Sequence, residues 1–326
     1  MICCVFPAAA PLFSQNPAPP VIPGSTTNVP PPPGQNTAPS NRIRSEVDLV
    51  VLRATVVDKD GTFVPGLKPE NFRVYEDKIE QKLSVFHQED TPVTVGLVID
   101  NSGSMREKRG QVNAAALRLV ESSNPQDEVF VVNFNDDYYL DLDKDFTNDP
   151  KDLRQALERI DSRGGTALYD ALIGSVDHLK KGHKDKKVLL VITDGDDNRS
   201  EKTFAYALHA AQQSNAMIYA IGVFSDDDRR HEKKMVKTSK KNLTTLADAT
   251  GGDAFFPTSL DELNAICAEI AKDIRNQYTL GYHPTNVARD GTFRNVQVQV
   301  IPPHDSGRLT VRTRSGYFAP KSSPAD

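Results

Sequence analysis

Val93-Thr94-Val95-Gly96-Leu97-Val98-Ile99-Asp100-Asn101-Ser102-Gly103-Ser104-Met105 is the stretch whose reading decides the fold. Apolar and β-branched residues run up to an acid, and two hydroxyls follow it at alternate positions. A short apolar run bounded by turn residues suits a strand buried on both faces, as in a parallel sheet. Such a strand delivers Asp100 to the carboxyl edge of the sheet, where open α/β sheets hold their ligands. There Asp100, Ser102 and Ser104 form a compact set of hard oxygen donors, suited to Mg²⁺, Ca²⁺ or Mn²⁺ rather than zinc. Taken alone, D-x-S-x-S reads equally well as a turn, because Asp, Ser and Gly all favour turns.

Outward from this stretch, residues 92–277 alternate β and α patterns, the signature of a doubly wound, mostly parallel α/β sheet. Strands are expected at 93–100, 128–134, 187–194, 217–223 and 252–256, with a weak edge strand near 138–142. Helices are expected at 107–122, 150–160, 167–181, 201–214, 240–249 and 259–276. Pro150 sits at a helix start, where its missing N–H costs nothing, and Ser259 with Glu262 reads as a capping box. The dipole of the helix beginning near Glu107 would favour negative charge at the same sheet edge. A second buried strand, Val188 to Thr193, also ends in an acid, Asp194, and Gly164-Gly165-Thr166 opens a helix. Asp197 lies just beyond that second strand and is expected to matter less. The charged run 225–234 reads as a solvated loop in preference to a partner surface or a calcium loop.

The flanks are β in pattern. Strands are expected at 47–57, 72–76 and 81–87 on one side, and at 278–282, 293–301 and 309–314 on the other, with Gly316-Tyr317-Phe318 closing the core. Neither group has enough strands to bury an apolar face alone. Residues 45–91 and 278–320 are therefore expected to form one small discontinuous β domain, with 92–277 inserted and 321–326 as a tail.

The chain has 326 residues and a net charge of −5, so no basic surface advertises nucleic acid. No apolar run approaches the ~18 residues that cross a membrane. Residues 1–44 read as a signal-like segment followed by a proline-rich linker, since eleven of the 22 prolines precede residue 41. The signal-like start lacks a basic n-region, and Cys3 or Cys4 is a candidate for lipidation. The expectation is a secreted or cell-envelope protein. Cys267 falls in the helical pattern Leu260, Leu263, Ile266, Ile270, Ile274 and is expected to be buried, and the three cysteines make no disulfide framework.

Asp100, Ser102, Ser104, Thr166 and Asp194 resemble, in order and context, the metal-ion-dependent adhesion site (MIDAS) of von Willebrand factor type A (VWA) domains. The flanking motifs Asp60-Gly61, Asn71-Phe72, Tyr278-Thr279-Leu280-Gly281-Tyr282 and Arg314-Ser315-Gly316-Tyr317-Phe318 are similar to those of a bacterial VWFA-related family common in acidobacteria. The resemblance covers roughly residues 46–320 and implies a Rossmann-like VWA domain and a non-enzymatic, protein-binding role in adhesion or assembly. It further implies that Ser102 and Ser104 ligate the metal directly, that Asp100 and Asp194 hold it directly or through water, and that Thr166 joins in one state. The implied ion is Mg²⁺ first, with Mn²⁺ or Ca²⁺ as alternatives, and an Asp or Glu of a protein partner completes its shell. A structural envelope protein with an empty site is the alternative, against which all five residues being present argues. A Mg²⁺-dependent hydrolase of the haloacid-dehalogenase type needs a second Asp where Ser102 stands. No G-x-S-x-G elbow or Walker A motif is present, and the seven histidines show no metal-ligand spacing.

Overall fold

The computed structural model describes residues 48–322 except 89, 123, 160, 196 and 304–306. The signal-like segment and the proline-rich linker lie outside the described residues. The chain forms strands β1 (Val50–Val57), β2 (Phe72–Glu76), β3 (Ile79–Gln81) and β4 (Leu83–Gln88). Next come β5 (Val93–Asp100), α1 (Arg109–Glu121), β6 (Glu128–Phe134), β7 (Tyr138–Leu140), α2 (Pro150–Glu158) and α3 (Leu168–Leu179). The middle of the chain continues with β8 (Lys186–Thr193), α4 (Phe204–Gln213), β9 (Met217–Gly222), α5 (Asp226–His231), α6 (Lys233–Thr250) and β10 (Ala254–Phe255). It closes with α7 (Leu263–Arg275), β11 (Tyr278–Tyr282), β12 (Phe293–Val300), β13 (Thr310–Arg312) and β14 (Gly316–Phe318).

The central sheet has the order β10-β9-β8-β5-β6-β7, parallel except for the edge strand β7. Strand alternation splits its core in two. Val93, Val95, Leu97 and Ile99 of β5 join Val188, Leu190 and Ile192 of β8 under α1, α2 and α7. Val98, Leu189 and Val191 face the other way, under α3, α4 and α6. With both faces covered, β5 is buried along its whole length, which explains its mostly apolar sequence. Gly96 has to lack a side chain, because a Cβ there would lie 2.4 Å from the Phe130 ring and 2.5 Å from Leu189.

Two further antiparallel sheets mix the ends of the described chain: β13-β1-β11-β4 and β14-β12-β2-β3. β1 pairs with β11 from Val50↔Tyr282 to Ala54↔Tyr278, and β12 pairs with β2 from Val296↔Glu76 to Val300↔Phe72. Leu52, Ala54, Val56, Phe72, Val74, Tyr278, Leu280, Tyr282 and Val296 share one core, so the α/β unit is inserted in a discontinuous β module. The Tyr278 ring lies at the centre of an aromatic group with Phe63, Phe72 and Phe86, and its hydroxyl donates to the Val64 carbonyl at 2.7 Å.

Several elements depart from the sequence reading, among them the strand expected at 81–87, which divides into β3 and β4 in different sheets. The run 225–234 is not a solvated loop: it forms α5 and the start of α6. Ser225 Oγ accepts the Asp228 N–H while Asp228 accepts the Ser225 N–H, a reciprocal cap, and the acids 226–228 precede the bases 229–231 as the helix dipole favours. The helix expected near Glu107 begins at Arg109, after a 3-10 turn at Gly103–Met105. The strand expected at 252–256 contracts to Ala254–Phe255. Asp197 also has a definite role: its Oδ2 accepts the Tyr169 N–H at 2.9 Å, capping α3 together with Ser200. Cys267 is buried in the core as expected. Among the described residues no helix is long and apolar enough to cross a membrane.

Deleting residues 278–326 strips β1 of both neighbours and β2 of β12. Limited proteolysis of the truncated chain is expected to cut quickly within 48–88, and protection equal to the intact protein would contradict the shared core. Asp197→Ala is expected to cost about 1 kcal/mol in thermal unfolding, the order of one lost hydrogen bond. Lys186, at the start of β8, donates to the Ile274 carbonyl at the end of α7. Burial pushes its pKa from 10.5 down to about 7. The unfolded chain therefore binds a proton that the folded one lacks between those values. This residue makes unfolding free energy rise with pH from about 7 to 10.5. Lys186→Met should flatten that rise in urea midpoints measured against pH.

Candidate metal centre

β5 and β8 are neighbouring parallel strands, paired from Val93↔Lys186 to Ile99↔Ile192, and an acid stands at the end of each. Asp100 is 1% exposed and Asp194 4%. Asp100 Oδ1 accepts the Ser102 N–H at 2.8 Å, and Oδ2 accepts the Thr193 hydroxyl at 2.6 Å. Burial first, and then the neighbouring Asp194 charge, raise the Asp100 carboxyl well above the ordinary carboxylate range. The 3-10 turn at Gly103–Met105 brings Ser104 Oγ to 3.1 Å from Ser102 Oγ.

The third segment is sewn on through its backbone. The Gly103 N–H donates to the Gly164 carbonyl at 3.1 Å and the Arg163 N–H to the Asn101 carbonyl at 3.0 Å. Gly164 adopts φ +73, and a Cβ there would meet Asp136 Oδ2 at 2.1 Å. That closeness lets Asp136 accept the Gly165 N–H at 2.8 Å. Thr166, 3% exposed, donates its N–H to Asn198 Oδ1 at 3.0 Å, and its carbonyl accepts the N–H groups of Asn198 and Arg199. Asn198 lies just past β8, so the loops after β5 and β8 both hold the Thr166 segment.

All five sequence-predicted residues thus come from loops tied together at one sheet edge. Ser102 bonds both Asp100 and Ser104, Asp194 faces Asp100 electrostatically, and Thr166 is held through its own N–H and carbonyl. Two participants escape a reading of the sequence. Thr193 is one, although its position just before Asp194 on the strand could have marked it. Lys108 is the other: its Nζ lies 3.4 Å from Asp194 Oδ2, and no local signal joins residues so far apart. Beside Ser104 and Lys108 opens a cavity of about 720 Å³, walled by Phe224, Asp226, Asp228 and Pro257.

The donor set consists of hydroxyl and carboxylate oxygens, which fits a hard divalent cation. Among the described residues no group of three or more His, Cys, Asp or Glu is placed to hold a metal. A cation here would accordingly depend on the serine and threonine hydroxyls as much as on the two acids.

A family model of the von Willebrand factor type A domain matches residues 95–196. An uncharacterised protein of Synechocystis is 26% identical over 117 residues, which is 35% of this chain and 28% of that protein's length. Among solved structures, a von Willebrand factor type A protein from Catenulispora acidiphila aligns with a TM-score of 0.50 at 14% identity, over 75% of this chain and 73% of that one. The von Willebrand factor domain of a type V pilus tip protein from Porphyromonas gingivalis aligns with a TM-score of 0.47 at 15% identity, over 57% and 95%. At such identities the likeness concerns the fold. The family match runs from the first acid-ended strand to just past the second, and it agrees with the doubly wound sheet that joins them: this chain carries a von Willebrand factor type A domain.

Proposed function

We propose that the protein is a non-enzymatic binding protein of the cell envelope or the exterior. Its von Willebrand domain holds a divalent cation, Mg²⁺ first, through Asp100, Ser102, Ser104, Thr166 and Asp194. Through that ion it engages an Asp or Glu of a protein partner. The observation that carries the reading is the hydroxyl-rich donor set, with Ser102 Oγ and Ser104 Oγ 3.1 Å apart beside the buried Asp100. Hydroxyls leave the ion less neutralised than carboxylates would, so an acidic group from outside is attracted to complete the shell. The apolar first residues and the proline-rich stretch after them support the extracytoplasmic part of the reading.

Ser102 and Ser104 partner each other, and His178, His183, His209 and His231 make their contacts with Asp145, Glu128, Phe318 and Asp227. None of those four histidine contacts involves Asp100 or Asp194.

Calorimetric titration with Mg²⁺ and Mn²⁺ tests the reading. Asp100→Ala and Asp194→Ala are expected to lose about tenfold or more in affinity, with the circular dichroism of the fold unchanged. Thr166→Ala should weaken partner capture more than metal binding, and a chelator should abolish capture. Equal metal affinity in wild type and Asp100→Ala, or no binding in wild type, sinks the assignment.

A further inference from the structure

Lys108 occupies an unusual place for a lysine. It is 8% exposed, stands at the N-cap of α1, and follows Ser104 by four residues. Its Nζ lies 3.4 Å from Asp194 Oδ2 and 3.8 Å from Asp228 Oδ2. A buried ammonium is tolerated only when it is paired, and these two acids supply the pairing. Among the ion pairs of the described residues, this is the one that reaches either carboxylate of the candidate metal centre.

The two acids differ in how they are held. Asp194 belongs to the donor set and faces Asp100. Asp228 is fixed from elsewhere, its Oδ2 accepting the Ser225 N–H at 2.7 Å in the reciprocal cap of α5. The same lysine nitrogen therefore has two seats less than 4 Å away, one in the metal centre and one outside it. An ammonium and a divalent cation on one carboxylate repel each other, and more strongly in a buried site than in water.

We propose that Lys108 is a built-in competitor of the metal. In the metal-free protein it neutralises Asp194, and when the divalent ion binds it yields that carboxylate and pairs with Asp228. The inference rests on the metal-binding reading above. It gives Lys108 control of affinity without its being a ligand. It also carries a charge outward, because Asp228 and Lys108 both line the cavity beside Ser104. Loading the metal shifts a positive charge toward that cavity and makes its wall less repellent to an acidic partner.

The test compares full-length wild type, Lys108→Met and Asp228→Asn by calorimetry with Mg²⁺ and Mn²⁺, and by thermal unfolding in chelator and in saturating Mg²⁺. Lys108→Met is expected to bind Mg²⁺ about tenfold or more tighter, since the competing charge is gone. Asp228→Asn, whose amide oxygen still accepts the Ser225 N–H, is expected to bind more weakly, since Lys108 loses its second seat. The opposite signs separate competition from packing. Lys108→Met should melt lower than wild type in chelator and recover in Mg²⁺. A purely structural lysine would lower the melting temperature equally in both. Unchanged or weaker metal binding by Lys108→Met, or unchanged or tighter binding by Asp228→Asn, overturns the proposal while leaving the metal-binding reading intact. If wild type is silent, the metal-binding reading falls whatever Lys108→Met does, and this proposal falls with it.

Discussion

Two carboxylates buried at the ends of adjacent parallel strands are the constraint around which this molecule is arranged. Asp100 and Asp194 are 1% and 4% exposed, and neither can be left there without compensation. The loops answer this in three ways. The Ser102 N–H and the Thr193 hydroxyl donate to Asp100, Lys108 sits against Asp194, and the 3-10 turn gathers two more hydroxyls next to the pair. The backbone bonds from Gly103 to Gly164 and from Asn198 to Thr166 then close the three segments into a single rim. The sheet supplies the position of the acids, and the loops supply the chemistry.

What could be read from the sequence follows the range of the forces involved. β5 and β8 were legible because a strand covered on both faces is mostly apolar, a demand written in Val95 to Ile99 and in Val188 to Ile192. The shared β module was legible because each flank is too small to bury its own face. α5 was not: its residues are nearly all charged, and the signal that makes it helical is the single pair Ser225 and Asp228. Asp197 looked like a bystander because the helix end it caps begins some thirty residues earlier in the chain. Lys108 reads as an ordinary charged residue at a helix start, and only the fold reveals that Asp194 lies against it. Thr166 belongs to the site by resemblance, and the structure adds how its backbone is held.

The β module has a mechanical side. The chain reaches the von Willebrand domain through β4 and leaves it through β11, and these two strands are neighbours, paired from Gln88↔Tyr278 onward. Whatever displaces the α/β unit therefore acts on two adjacent, paired strands at once. β11 is gripped on its other side by five register pairs with β1. Force along a strand loads all of its ladder bonds together, whereas force across it peels them one at a time. The insertion that looks like a topological detour thus fastens both ends of the α/β unit to one hydrogen-bonded ladder.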